Sequence, residues 1–338
     1  MAHKNRIGNL FSLTSFGESH GAAMGGVIDG MPSGVKIDME LLQHEMARRR
    51  PGQGGDTSSR NETDEVEILS GIKDGTTLGT PIGFIVRNHD HHSEDYYHLR
   101  NVFRPSHADF TYQAKYGIRD HRGGGRASGR ETVSRVVAGA LAKQVLATMG
   151  ITVSSKSFDI SNIRKHGIGL FGGSGVEPPA DGETFGAFVM CVIDGVKPGI
   201  GEPVFGKLSS QLAEAIMSIP AAKGFEIGFG FSSLNYNGSQ SLDLFTCENG
   251  EIKTVTNFSG GIQGGISNGS EIWFQVAFKP IASLNEPVEG IDIDGNPVTI
   301  MPRGRHDLSV APRVLPVVEA MAAIVTLDNV LMARASRI

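Results

Sequence analysis

Residues 100–135 read RNVFRPSHADFTYQAKYGIRDHRGGGRASGRETVSR, and they hold seven of the chain's nineteen arginines together with His107, His121 and the triplet Gly123, Gly124 and Gly125. Only Asp109, Asp120 and Glu131 oppose these charges within the run, although the whole chain carries a formal net charge of -5. Positive charge concentrated against the global balance marks a site for a small, multiply charged anion. The same stretch sets the local fold. Ser128, Gly129, Arg130 and Glu131 form an S-x-x-E capping box, and Val133, Val136, Val137, Ala140 and Leu141 follow at helical spacing, so a helix starts at Ser128 and is closed by Gly150. Its first backbone N–H groups come directly after the glycine-rich loop, and a helix amino terminus flanked by Arg126 and Arg130 suits an anion.

Outward from that run, the spacing predicts a helix over 38–50, capped by Asp38, striped by Leu41, Leu42 and Met46 and ended by Pro51 and Gly52. Arg48, Arg49 and Arg50 crowd its carboxyl end, where they either offset the helix dipole or serve a ligand. Further helices are expected over 207–218, stopped before Pro220, and over 312–334, apolar through Val317, Met321, Ile324 and Val325. Residues 271–278 alternate, with Ile272, Phe274, Val276 and Phe278 on one face, and 187–193 and 81–86 read as shorter buried strands. The mixture is α+β. No regular βαβ alternation, linker or repeat is visible, so 1–338 reads as one continuous domain.

With 338 residues and 39% hydrophobic content, the chain can bury a sizeable core. No run approaches about 18 consecutive apolar residues and the start MAHKNRIGNL has no apolar leader, so the expectation is a cytoplasmic protein without a membrane span. Cys191 and Cys247 are far apart, which argues against both a disulfide framework and a zinc site, and both read as packed or idle thiols. Glycine stands at 45 residues, about twice its usual ~7% share, so many backbone positions need tight turns or close approach. Net acidity argues against general nucleic-acid binding. Phe103, Phe110, Tyr112 and Tyr116 are accordingly read as core residues rather than base-stacking platforms.

Two familiar patterns fail in context. Gly167, Gly169 and Gly172 match G-x-G-x-x-G, but neither a strand before nor a helix after accompanies them, so no nicotinamide cofactor is indicated. No phosphate-loop motif occurs. His89, Asp90, His91 and His92 are adjacent, and adjacent side chains diverge rather than converge on a metal; no metal site is expected.

Three segments combine titratable groups with turn residues: residues 16–21 (FGESHG), 104–109 (RPSHAD) and 303–308 (RGRHDL). Each alone is weak, and GESHG is not a nucleophile elbow because its second glycine is displaced by one. As a set, with FSLTSFGESHG near the start, RRRPG at 48–52, FRPSHADFTYQAKYGIRDHRGGGRASGRET at 103–132, SIPAAKGFEIG at 218–228, GGIQGGISNG at 260–269 and RGRHDLSVAPRVLPVVEAMAAIV at 303–325, the chain resembles the chorismate synthase family over nearly its whole length.

The resemblance implies a sandwich of long helices between antiparallel sheets, assembled as a homotetramer. It implies an anti 1,4-elimination of phosphate from 5-enolpyruvylshikimate 3-phosphate, giving chorismate and requiring externally supplied reduced FMN without net oxidation. That substrate carries two carboxylates and a phosphate, which agrees with the arginine concentration. His107 is similar to the family histidine beside the reduced flavin, His20 to the one that protonates the leaving phosphate, and Asp307 to the group that helps remove the ring proton by way of the flavin. Arg49, Arg104, Arg130 and Arg313 match substrate-binding positions. Arg126, Ala127, Ser128, Pro220, Ala221, Gly264, Lys279, Pro280, Ile281, Ala282, Ser283 and Arg305 match FMN-binding positions, although Lys279 taken alone reads as a solvated charge.

The chain departs from the family at Gly55, where an arginine is usual and where Arg60 is the nearest substitute, and more mildly at Ala127 and Gly129 and at Leu308 and Ser309. Two rival functions follow from the same residues. One is a flavin-dependent oxidoreductase with its own NADPH:FMN reductase activity, since some members of that family also reduce flavin. The other is a non-enzymatic RNA-binding module built on 100–135, whose binding would show a steep salt dependence.

Overall fold

The computed structural model describes residues 5–50, 63–89, 93–158, 183–284, 286–301 and 307–336. Two antiparallel sheets enclose a layer of helices. In the first, the strands run in the order Arg6–Ile7, Ser12–Gly17, Ala23–Asp29, Ile82–Arg87 and Val66–Ile68. In the second, the order is Ala222–Ile227, Ile272–Phe278, Ala187–Asp194 and Thr152–Phe158. Alternation decides which face of each sheet turns inward. Val189 opposes Val276, Cys191 opposes Phe274 and Ile193 opposes Ile272, all of them completely buried. In the first sheet Leu13, Met24, Ile28, Ile82, Phe84 and Val86 form the matching inner face.

Helices α1 (Met39–Arg49), α2 (Asp109–Tyr116), α3 (Thr132–Ala147), α4 (Leu208–Met217) and α5 (Ala311–Ala333) are described. The first sheet is covered by α3, the second by α5, and these two helices pack on each other while α1 packs on both. Gly139 makes the crossing possible: a Cβ there would fall 2.2 Å from the Cβ of Ala320. From Val314 to Val330 nearly every residue of α5 is buried. By length and composition this helix could cross a bilayer, yet most of its apolar window is covered by protein.

Buried polar groups tie the layers together, as a dry interior demands. Glu319 on α5 accepts hydrogen bonds from Arg48 on α1 and from the backbone N–H and hydroxyl of Ser155, and it pairs with Lys143 on α3. Asp328 accepts from the N–H groups of Asn9, Leu10 and Phe11, which fixes the chain leading into the first sheet. Burial pushes the Cys191 thiol pKa well up, so it is a packed residue, whereas Cys247 is exposed.

Asp38 caps α1 as expected, its carboxylate accepting from Glu40 and Leu41. The expected capping box at Ser128 is only half formed. Ser128 Oγ accepts from Arg130 N, but a tight 3-10 turn over Gly129–Glu131 precedes α3, and the Glu131 carboxylate takes the charged partner Arg135 one turn on. The aromatics of 103–116 depart further from expectation. Phe110 and Tyr116 are 61% and 52% exposed, because α2 meets the body of the protein along one edge only. Their rings pair among themselves, Phe103 with Phe110 and Tyr112 with Tyr116.

Candidate active site

The ends of strands and helices from distant parts of the chain border one cavity of about 1050 Å³. Its wall includes His20, which follows the strand Ser12–Gly17; Arg49 from the last turn of α1; Arg104 and residues 106–109 leading into α2; residues 123–130 leading into α3; residues 219–221 after α4; residues 279–283 after the strand Ile272–Phe278; and Asp307 and Arg313 at the start of α5. Backbone strain gathers here. Ser106 at φ +60° and Ala221 at φ +69° line the cavity, and Asp64, at φ +50°, is bonded to two of its arginines. Such conformations cost on the order of 1–3 kcal/mol each and persist where the surroundings hold them.

The strained turn at Ser106 aims His107. Its Nδ1 lies 2.9 Å from the carbonyl oxygen of Pro105, which can only accept, so Nδ1 carries the proton. Nε2 is 3.1 Å from Ser283 Oγ. Burial, and then the Arg104 charge, hold the imidazole pKa below its ordinary value, so the ring is neutral at pH 7. His20 is 5% exposed, with Nδ1 3.1 Å from Ser19 Oγ and its ring edge-on to Tyr96. Gly123, at φ +59°, passes so close that a Cβ would lie 2.1 Å from the ring.

Eight lysine and arginine side chains line the cavity against four carboxylates. The arginines are held by acids. Arg104 makes a two-pronged pair with Asp109 at 2.8 and 3.0 Å, and Arg119 shares that carboxylate while donating to the carbonyls of Leu99, Arg100 and Val102. Burial alone would raise the Asp109 pKa, but the Arg104 hydrogen bonds and charge outweigh it. Arg49 and Arg130 both pair with Asp64, and Arg313 pairs with Asp307. Arg49 is 2% exposed, and its Nε–H meets no acceptor among the described residues. Burial lowers its pKa to about 10 despite Asp64, with Arg313 and Arg130 adding to the effect, so it stays charged at neutral pH. Arg48, by contrast, turns away to Glu45 and Glu319 and is a structural cation.

Arg126, Ala127 and Ser128 border the same cavity, as do Pro220, Ala221, Lys279, Pro280, Ile281, Ala282 and Ser283. Arg126 donates to Ser15 Oγ at 2.7 Å, with Glu131 at 3.9 Å as its acidic neighbour. Lys279 is not a solvated charge: its Nζ donates to Ser106 O at 3.0 Å, bracing the turn that carries His107. Gly264 is apart from this wall, in the tight hairpin between Ile262–Gln263 and Ile266–Ser267. Arg305 lies outside the described residues, as do Gly55 and Arg60, the 167–172 glycine pattern and residues 90–92 of the histidine run. Among the described residues no group of three or more His, Cys, Asp or Glu could hold a metal ion.

Apart from Asp307, sequence reasoning missed the carboxylates that orient the arginines. Asp109 and Asp120 were visible only as opposing charges, and nothing local to Asp64 connects it to Arg49 and Arg130. It also missed Glu18, a lining residue whose pKa burial raises against the Arg126 charge.

Comparison with known proteins agrees with this geometry. The family model described as Chorismate synthase matches residues 11–331. The chorismate synthase of Bacteroides thetaiotaomicron is 51% identical over 356 residues, covering 99% of each chain, and that of Opitutus terrae is 45% identical, covering 96% of each. A crystal structure of chorismate synthase superposes with a TM-score of 0.71 at 26% identity, covering 96% of this chain and 93% of that one. A helix layer between two antiparallel sheets, one arginine-walled cavity and likeness along almost the entire length lead to one conclusion: the chain belongs to the chorismate synthase family.

Proposed function

We propose that the enzyme carries out the elimination of phosphate from 5-enolpyruvylshikimate 3-phosphate, with loss of a ring proton, to give chorismate, using reduced FMN without net oxidation. The observation that carries this reading is that His20, His107, Asp307 and four arginines, drawn from five separate segments, border the same cavity. Its volume, about 1050 Å³, exceeds what one small ligand needs. The donor set fits FMN: Pro220, Ala221, Pro280, Ile281 and Ala282 offer a short-chain apolar wall for a flat ring, with Arg126 and Lys279 at hand for negative charge. When bound, reduced FMN supplies an electron-rich ring beside the substrate and leaves in the oxidation state in which it entered.

The protein's own residues supply binding and proton control. Arg49 offers a buried N–H without an acceptor among the described residues, and a substrate oxygen there relieves a desolvation cost of about 1–3 kcal/mol. Arg104, Arg130 and Arg313 are pre-oriented by their carboxylates, so little reorganisation accompanies anion binding; each charged hydrogen bond contributes about 1.5–3 kcal/mol. His107, with its proton fixed on Nδ1, has Nε2 as the atom that gains or loses a proton, and neighbouring anions favour the gain. His20 donates a proton to the departing phosphate, and Asp307, in contact with Arg313, helps remove the ring proton. The reading also includes the homotetramer that the family resemblance implies. A cytoplasmic location and an external source of reduced flavin complete the reading.

An anaerobic assay with pre-reduced FMN and the enolpyruvyl substrate tests it. Wild type should release chorismate and inorganic phosphate in equal amounts, with His107→Ala slower by about 10²-fold or more. Absence of product from the wild type, or turnover by His107→Ala at the wild-type rate, refutes the assignment. Oxidation of NADPH by the purified protein with FMN would instead support an intrinsic flavin reductase.

A further inference from the structure

We propose that Asp64 is a positioning residue for substrate binding, its buried carboxylate setting the guanidinium groups of Arg49 and Arg130 at the cavity wall. Asp64 is 1% exposed and does not itself border the cavity, but both of its strong partners do. Its Oδ2 accepts from Arg49 at 2.5 Å and its Oδ1 accepts from Arg130. One carboxylate oxygen thus serves each arginine. The arginines come from different helices, one at the end of α1 and the other in the turn before α3, so Asp64 is the charged link between them.

The position is built for this task. Asp64 adopts a left-handed backbone at φ +50°, an unfavourable conformation for a residue with a side chain, and its carbonyl oxygen accepts from Gln43 on α1 at 3.2 Å. Arg130 is steadied further by Asn88 Oδ1 at 3.0 Å. Removal of the carboxylate would leave Arg49 buried beside two like charges, Arg130 and Arg313, with no other carboxylate paired to it among the described residues. The two cations would then separate or turn, and the substrate oxygens would meet them out of register. Burial alone would raise the Asp64 pKa, but Arg49 and then Arg130 outweigh it, so the charge that does the holding is present at neutral pH.

This inference rests on the proposal that Arg49 and Arg130 bind substrate anions, and the test separates the two. KM and kcat are measured anaerobically with pre-reduced FMN for Asp64→Asn, Asp64→Glu, Arg49→Ala and Arg130→Ala, alongside thermal unfolding midpoints. Asp64→Asn should raise KM by about 10- to 100-fold with kcat within about threefold, because the lost contacts act on ground state and transition state alike. Asp64→Glu, which keeps the charge but shifts it by one methylene, should lie between Asp64→Asn and wild type, a recovery that a purely structural role would not give. Wild-type KM in folded Asp64→Asn, with KM raised in both arginine variants, overturns the positioning role alone. Wild-type KM in the arginine variants overturns the underlying site reading. If Asp64→Asn does not fold, Asp64→Glu decides: KM raised about 3- to 10-fold supports the role and wild-type KM refutes it.

Discussion

Gly123→Ala should disable the enzyme through a methyl group that takes no part in chemistry. The added Cβ would lie 2.1 Å from His20 Cε1, 2.3 Å from Nδ1 and 3.0 Å from Ser19 Oγ. Carbon atoms in contact sit about 3.5–4.0 Å apart, so the ring must move by roughly 1.5 Å. A displacement of that order misaligns a proton donor and costs about 10²-fold in rate, or about 2.7 kcal/mol of barrier. The substitution also forces a side chain into the left-handed region at φ +59°, a loss of about 1 kcal/mol in stability. Gly150→Ala isolates that second effect: it has φ +76°, nothing lies within 4 Å of its would-be Cβ, and it is outside the cavity wall. Thermal unfolding and anaerobic phosphate release, measured on both variants and on His20→Ala, separate the contributions. The expected result is a similar stability loss in both glycine variants with turnover lost only in Gly123→Ala. Turnover within about threefold of wild type in Gly123→Ala, while His20→Ala is crippled, would show that the location of the His20 ring does not limit the rate.

Glu319→Gln should destabilise the fold by about 3–5 kcal/mol, because Arg48 and Lys143 lose a buried counter-charge; chemical denaturation measures this, and a change below about 1 kcal/mol contradicts the hub. Burial alone would raise the Glu319 pKa, but Arg48 and Lys143 hold it below its ordinary 4.5. Its contribution to stability is therefore complete above that value and is lost as pH falls through the lower folded-state value, so the variant should show a shallower decline of stability below pH 4.5. Substrate binding near pH 7 should draw a proton from solution, because anions beside His107 raise a pKa that burial and Arg104 keep low. Calorimetry in buffers of different ionisation enthalpy reads this uptake, and an equal uptake in His107→Gln rules out His107 as its source.

Strongly periodic segments were legible in the sequence to within a residue or two. The expected helices 38–50, 207–218 and 312–334 appear as Met39–Arg49, Leu208–Met217 and Ala311–Ala333, and the alternation at 271–278 appears as the strand Ile272–Phe278. Each has an apolar stripe that one buried face can satisfy. Helix α2 was not legible. Its sequence DFTYQAKY mixes polar and aromatic residues, and it lies at the cavity edge with Phe110 and Tyr116 in solvent. The arginine concentration was visible because its charges are neighbours in the chain, and Asp109 and Glu131, the partners of Arg104 and Arg135, lie in the same run, but other pairings are remote. Arg48 meets Glu319 across 271 residues and Arg130 meets Asp64 across 66. Such pairings depend on how layers stack, which no local pattern reports. Resemblance nominated the histidines and the flavin wall; the structure adds that seventeen of the nineteen expected positions, all but Gly264 and Arg305, share one cavity.

Crystals of the enzyme with the enolpyruvyl substrate and reduced FMN, grown without oxygen, test the central claim most directly. The account predicts both molecules within the cavity, the substrate's anionic groups against Arg49, Arg104, Arg130 and Arg313, and the flavin within reach of His107. Density for either molecule at a different surface, with those four guanidinium groups still paired with Asp64, Asp109 and Asp307, would contradict it.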